Sequence, residues 1–287
     1  MHPPHLSVDR RSLMPPAPAG RCAYRAPVAG TVLYELDDRR HVATITYNRP
    51  DALNAINGEM RRDLNEAFAR FRDDEEAWIA IVTGAGRAFC AGADMRGEGN
   101  SAGDFPGTFW EKPTQNSFES GWEIFKPVIA AVNGHCLGYG FTLVTWCDFV
   151  IASERATFGF PEVRIGVPTI VGAIRLPQRI GWQPAMEILL TGERIDADRA
   201  KALGIAGWVV PHDRLLPEAH ALADRLRLGA PLAQRAIKEV AMRSEHLSTV
   251  EAIRFGETMR KVASATEDAA EGVQAFRDRR SPSWRGR

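Results

Sequence analysis

The chain has 287 residues, 45% hydrophobic and 25% charged, a composition ordinary for a soluble globular protein of one large or two small domains. Its 36 basic and 36 acidic side chains cancel, which argues against a nucleic-acid binder or a membrane-surface binder, since both show a basic excess. No run approaches the roughly 18 apolar residues of a membrane span, and four cysteines (Cys22, Cys90, Cys136, Cys147) with no CxxC pair and no secretory signal read as reduced thiols of a cytoplasmic protein.

Residues 1–29 are rich in proline, alanine and arginine and carry one acid, Asp9. Such a stretch cannot bury a core and is predicted to be disordered or loosely packed. It has the charge bias of a transit peptide without a clear amphipathic helix. Residues 31–36 and 41–47 predict a hairpin across Asp37-Asp-Arg-Arg40. Asn57 then caps a helix whose apolar residues Met60, Leu64, Ala67, Phe68 and Phe71 share one face. Residues 78–83 read as a buried strand, followed over 84–94 by a small-residue loop able to offer backbone amides. Residues 95–118 have no periodicity and are broken by Gly97, Gly99, Gly103, Pro106, Gly107 and Pro113.

Next comes the apolar run Val128–Val132, bounded by Pro127 and Asn133-Gly134, which suits a fully covered strand. Gly138 and Gly140 let the backbone turn, and an apolar helix is predicted over 141–146. The first amides of such a helix have no internal partner and sit at the positive end of its dipole. They can receive an anion, or an oxygen that becomes anionic during a reaction. A further strand is predicted near 149, and another helix ahead of Lys126. Residues 170–205 read as mostly helical, and the chain from Pro211 reads as helical to its end, interrupted near Pro231. Pattern alone supports a mixed α/β domain. Gly84-Ala-Gly86 lacks the third glycine of a dinucleotide loop, because Phe89 occupies that place. Ser153, His135 and Asp148 do not form a nucleophile elbow. The sequence holds no internal repeat and no zinc-ligand spacing.

Five short stretches, taken in order, resemble the crotonase (enoyl-CoA hydratase/isomerase) family. They are Arg49-Pro50 with Leu53-Asn54-Ala55, Ala91-Gly-Ala-Asp94, Val132-Asn-Gly-His-Cys-Leu-Gly-Tyr-Gly140, Cys147-Asp148 and Phe158-Gly-Phe-Pro-Glu162. Each is weak alone. Their order and spacing are specific, and the resemblance spans roughly residues 31 to 284. It implies an α/β fold, a crotonase-like spiral of ββα units with a C-terminal helical trimerisation region. The parts would be the tail over 1–29, the spiral core over 30–210 and the helical region over 211–287. The last would pack subunits into homotrimers or dimers of trimers.

The resemblance also implies an acyl-CoA thioester substrate, with coenzyme A entering as part of it and no separate cofactor or metal. The thioester oxygen would be held as an enolate by the amides of Ala93 and Tyr139, each donor worth roughly 3 kcal/mol in a dry site. The family usually has glycine where Tyr139 stands. A backbone donor survives that change, and the tyrosine ring then goes either into the core or into the site. Glu162 falls on one of the two glutamates that hydratases of this family typically use, and Thr142 falls on the other. A threonine hydroxyl cannot serve as a carboxylate base. One carboxylate suffices for a 1,3-proton shift, so double-bond isomerisation of the Δ3-Δ2-enoyl-CoA kind is the main expectation. Water addition to 2-enoyl-CoA is the alternative, with Tyr139, Glu119 or Glu123 supplying the missing group, and a CoA-binding scaffold with little catalysis is the next.

Coenzyme contacts are implied at Leu53 and Ala55 through backbone, at Ala91 and Asp94 beside the donor, at Arg96 as a phosphate ligand, and at Phe276 and Arg279. Phe105, Phe109 and Trp110 either line the acyl pocket or anchor a surface loop. Asp148 and His135 are expected to be structural.

Overall fold

The computed structural model describes residues 30–96 and 123–287. The tail over 1–29, the aromatic residues Phe105, Phe109 and Trp110, Glu119 and the helix expected ahead of Lys126 lie outside the described residues.

The predicted hairpin is present as β1 (Val32–Asp37) and β2 (Val42–Tyr47), antiparallel, with Val32 opposite Tyr47. Its turn is tied by Asp37, whose Oδ1 accepts the amides of Arg39 and Arg40 at 3.1 Å. Helix α1 (Gly58–Asp73) starts where Asn57 accepts the Met60 amide at 2.9 Å. The five apolar residues singled out by their spacing are the five that it buries. At its other end Lys126 is buried and donates to Phe71 O (2.7 Å) and Asp74 O (2.6 Å), satisfying carbonyls that the helix leaves open. Burial lowers the pKa of that ammonium to about 8.

The middle of the chain coils. Three buried strands, β3 (Ile79–Gly84), β5 (Val128–Val132) and β7 (Phe149–Ser153), are each followed by a three-residue strand: β4 (Ala88–Cys90), β6 (His135–Leu137) and β8 (Thr157–Gly159). The long strands pair parallel to one another and with β10 (Trp208–Val210), completing a six-stranded sheet of order β1-β2-β3-β5-β7-β10. The short ones form a second sheet, β4-β6-β8, edged by β9 (Ile195–Asp196). Each turn of the chain thus crosses from one sheet to the other.

This corrects the expectation that 84–94 is a plain loop and that 133–140 is a plain glycine turn. A three-residue strand carries too little pattern to show in a sequence. Glycine makes the crossing possible. A Cβ on Gly134 would stand 2.0 Å from Arg87 O, so the β5–β6 corner lies directly on the chain entering β4.

Side chains of the central strands alternate between two cores. Ala80 and Val82 face one with α1 and the site helix, and Ile79 and Ile81 face the other. That second core is closed by α6 (Leu215–Leu226) through Leu215, Ala219, Leu222 and Ala223. Helix α2 (Tyr139–Trp146) begins at Tyr139, just ahead of the apolar segment over 141–146. Then come α3 (Val171–Ile180), α4 (Trp182–Thr191) and α5 (Ala197–Ala202). Beyond α6 lie α7 (Pro231–Arg243), α8 (Thr249–Ser264) and α9 (Glu267–Asp278). The helical reading from Pro211 stops short of the terminus. Residues 280–287 are irregular and turn back so that Trp284 packs on the second core, while Asp268 accepts the amides of Arg285 and Gly286 at 2.7 and 2.9 Å. Among the described residues no helix is long and apolar enough to cross a membrane.

Candidate active site

Three stretches far apart in sequence meet where the second sheet adjoins the start of α2. The first is the turn after Pro50. Leu53 and Asn54 both adopt positive φ, 53° and 56°, a region that asparagine tolerates better than most residues. Asn54 is fully buried. Its Oδ1 accepts the Arg49 amide at 2.8 Å, and its Nδ2 donates to Ala85 O (2.9 Å) and Ala88 O (2.7 Å). The second stretch runs alongside it. Ala91 donates to Leu53 O at 3.0 Å, Ile56 donates to Gly92 O at 2.8 Å, and Asp94 donates to Ile56 O at 2.9 Å. Ala93 is therefore the bridged residue opposite Ile56. In this parallel bridge Ile56 makes both bonds, to the residues flanking Ala93, and the Ala93 N–H points away. That amide makes no backbone bond among the described residues.

The third stretch is the entry to α2. Gly138 has φ 53° and ψ −121°, a conformation that only glycine adopts readily. Its amide is spent on Gly159 O at 3.0 Å, and its carbonyl accepts from Thr142 at 2.9 Å. Tyr139, at the first helical position, is left with an N–H that no helix carbonyl can reach. A Cβ on Gly92 would lie 3.8 Å from Gly138 Cα, and one on Gly138 would lie 3.4 Å from Gly92 Cα. The residues preceding the two free amides are thus in contact. The same imagined Cβ on Gly138 would stand 2.8 Å from Glu162 Oε1, so the carboxylate converges on the same point.

Glu162 is held there by its own backbone. It lies in the short turn Pro161–Ile165, and its carbonyl accepts the Val167 amide at 3.0 Å. Phe160, immediately before that turn, stacks on Phe141 of α2 with ring centroids 4.7 Å apart. Glu162 Oε2 is buried without a hydrogen-bond partner. Burial raises the pKa of the carboxyl above the ordinary value. A half-buried carboxyl with one unpaired oxygen beside two free amides has the makings of a proton-transfer group facing an oxyanion hole.

The other expected residues fall into place around this point. Thr142 is buried one turn into α2, with its backbone in the helix. The Tyr139 ring is half-buried and packs on the rim of the main core, with the Arg61 guanidinium 4.7 Å from its centroid. Its side chain follows the core alternative. Asp94 accepts the Arg96 amide at 3.1 Å, and its carboxyl is held below the usual range by that amide first and by Arg49 next. Arg96 itself is exposed, and Ala55 accepts from the Arg49 guanidinium. Phe276 is 86% exposed near the end of α9, and Arg279 has φ 53° at its C-cap, so within one chain neither joins the cluster. Glu123 pairs with Arg243 at 2.9 Å. Asp148 accepts Val128 N–H at 2.8 Å and pairs with Lys238 at 2.7 Å, and His135 bonds Thr157 Oγ1 at 2.9 Å; both are structural contacts. Sequence reasoning missed the side chains of Arg49 and Asn54. A buried polar residue beside two small-residue stretches was the available signal.

Comparison with known proteins gives the family and the fold. The family model described as "Enoyl-CoA hydratase/isomerase" matches residues 37–287. The carnitinyl-CoA dehydratase of Proteus mirabilis is 38% identical over 88% of this chain and 98% of that protein. A probable mitochondrial enoyl-CoA hydratase of Dictyostelium discoideum is 35% identical over 86% of this chain and 89% of that protein. The crystal structure of an enoyl-CoA hydratase/isomerase from Mycobacterium paratuberculosis superposes with a TM-score of 0.79 at 41% identity, covering 90% of this chain and 99% of that one.

Proposed function

The chain belongs to the enoyl-CoA hydratase/isomerase family, and on that premise we propose that it shifts the double bond of a 3-enoyl-CoA thioester to the 2-position through an enolate. The amides of Ala93 and Tyr139 take the charge on the thioester oxygen. Glu162 removes the proton from carbon 2 and returns it to carbon 4, so that one carboxylate completes the cycle and is regenerated. The observation that carries the reading is the half-buried Glu162 carboxyl beside the two amides, its Oε2 buried without a partner, with a threonine one helical turn on where a second carboxylate would be needed to handle water. Coenzyme A enters with the substrate, met by the backbone of Leu53 and Ala55 and by Ala91, Asp94 and Arg96, and no separate cofactor is required.

A second reading is water addition to 2-enoyl-CoA. The names of the Proteus and Dictyostelium relatives, a dehydratase and a hydratase, favour it. Glu123 is engaged by Arg243, which leaves Glu119 as the candidate for the second carboxylate.

We also infer a homotrimer or a dimer of trimers. Ile237, Val250, Ile253 and Val262, on α7 and α8, are each at least 60% exposed in the single chain, an apolar surface that a monomer has no use for. Phe276 and Arg279 would then meet the coenzyme of a neighbouring subunit. The buried free thiols of Cys90, Cys136 and Cys147 suit the cytoplasm. Light scattering on the purified protein checks the assembly, and a monomer would overturn it.

The deciding experiment is a steady-state assay with 3-enoyl-CoA and 2-enoyl-CoA of several chain lengths, on the wild type and on Glu162→Gln. Conversion of the 3-enoyl without 3-hydroxyacyl-CoA, with kcat lowered by about 10²- to 10⁴-fold in the variant, supports isomerisation. Efficient formation of 3-hydroxyacyl-CoA from the 2-enoyl substrate selects hydration. Binding of CoA thioesters with no turnover, unchanged in Glu162→Gln, leaves a scaffold.

A further inference from the structure

The side chain that the proposed chemistry leaves unused is Arg49. Its guanidinium is 22% exposed and its partner carboxylate, Asp94, 13%. The two terminal nitrogens reach different loops. Nη1 donates to Ala55 O, and Nη2 donates to Asp94 Oδ2 at 2.9 Å. The Arg49 amide is itself fixed by Asn54 Oδ1. Asp94 is the residue after Ala93, and its own amide is bonded to Ile56 O. One planar cation therefore ties the turn over 53–56 to the segment that presents the Ala93 N–H. The Arg96 amide first and Arg49 next both favour the charged form of Asp94 and hold its carboxyl below the ordinary value.

We infer that Arg49 is a positioning residue, holding the coenzyme-contacting turn and the Ala93 amide in one register so that a bound coenzyme aims the oxyanion hole at the thioester carbonyl. This rests on the function proposed above. It needs the guanidinium fork: a lysine ammonium at the same place is a single point charge and cannot bridge the Ala55 carbonyl and the Asp94 carboxylate in one plane.

The test uses Asp94→Asn and Arg49→Lys, both close in size to the residues they replace, with thermal unfolding as the check on folding. The probe is a conjugated 2,4-dienoyl-CoA, whose thioester absorption moves to longer wavelength when its carbonyl oxygen is polarised. Calorimetry with free coenzyme A reads the turn separately. In Asp94→Asn the bond from Arg49 to Ala55 O remains, so the wavelength shift should fall by a larger factor than coenzyme A affinity, with kcat lowered about ten- to a hundredfold. Arg49→Lys should lose wavelength shift and coenzyme A affinity together. If both variants keep the wild-type shift and kcat and merely unfold at lower temperature, Arg49 is a structural brace and the inference falls alone. A wild type that binds coenzyme A but shows no shift with the probe removes the enolate reading, and the positioning role with it.

Discussion

The two amides of the candidate hole are mounted in opposite ways. Ala93 hangs on a network of side chains: Asn54 fixes the turn beneath it, and Arg49 and Asp94 clamp its flank. Tyr139 hangs on bare backbone. Gly134, Gly138 and Gly140 bring main chain so close to Arg87, Glu162 and Cys90 that an added Cβ would stand 2.0, 2.8 and 2.6 Å from the nearest atom of each. The first mount can be loosened by degrees, because each hydrogen bond contributes a part. The second tolerates least change at Gly134, where the neighbour is main chain, because packed backbone cannot move aside for a methyl group.

That contrast sets an order of damage. Gly134→Ala, which drives a methyl into a carbonyl of the β4 entry, should be the most destructive, lowering stability by about 3 kcal/mol or more in chemical denaturation. A near-neutral result would show that the sheet crossing is softer than its contacts indicate. Asn54→Ala comes next, at about 2 kcal/mol. It orphans the Arg49 amide and Ala85 O, whereas Ala88 O keeps Asn133 Nδ2 at 3.3 Å. Gly138→Ala should cost about 1 to 2 kcal/mol for its backbone angles. Here the clashing atom is the movable end of Glu162, so kcat should fall far more than stability. Equal loss of both would mean that the carboxylate is not displaced.

The smallest effect is pH-dependent. Below about pH 4.5, the ordinary value for this group, the Glu162 carboxyl is neutral in both folded and unfolded chains. As pH rises from there through the raised folded value, the unfolded chain gives up its proton first, and the folded state loses relative stability. Glu162→Gln should therefore stabilise the protein at about pH 8 and change little at about pH 4. A stability gain equal at both pH values would show that packing, not charge, is responsible. In the wild type, kcat/KM should rise with pH about a midpoint above that of a free carboxylate.

Spacing was enough for α1, whose five buried residues recur over about three turns, and for β5, bounded by Pro127 and Asn133-Gly134. Residue type in order was enough for the family, and it singled out Ala93, Tyr139 and Glu162, which the fold brings close together. It was also enough to mark Thr142 as a departure. Folding in three dimensions decided the rest. The short strands β4, β6 and β8 exist because each pairs with a neighbour one turn of the spiral away, and none has a pattern of its own. The Tyr139 ring packs on the rim of the core beside the guanidinium of Arg61, 78 positions earlier in the numbering, a contact that local pattern does not show. Arg49 and Asn54 gained their importance from partners on other loops. Local pattern records what a residue's neighbours in the chain require. A hydrogen bond from Arg49 to Asp94 is a fact about two segments that only packing brings together.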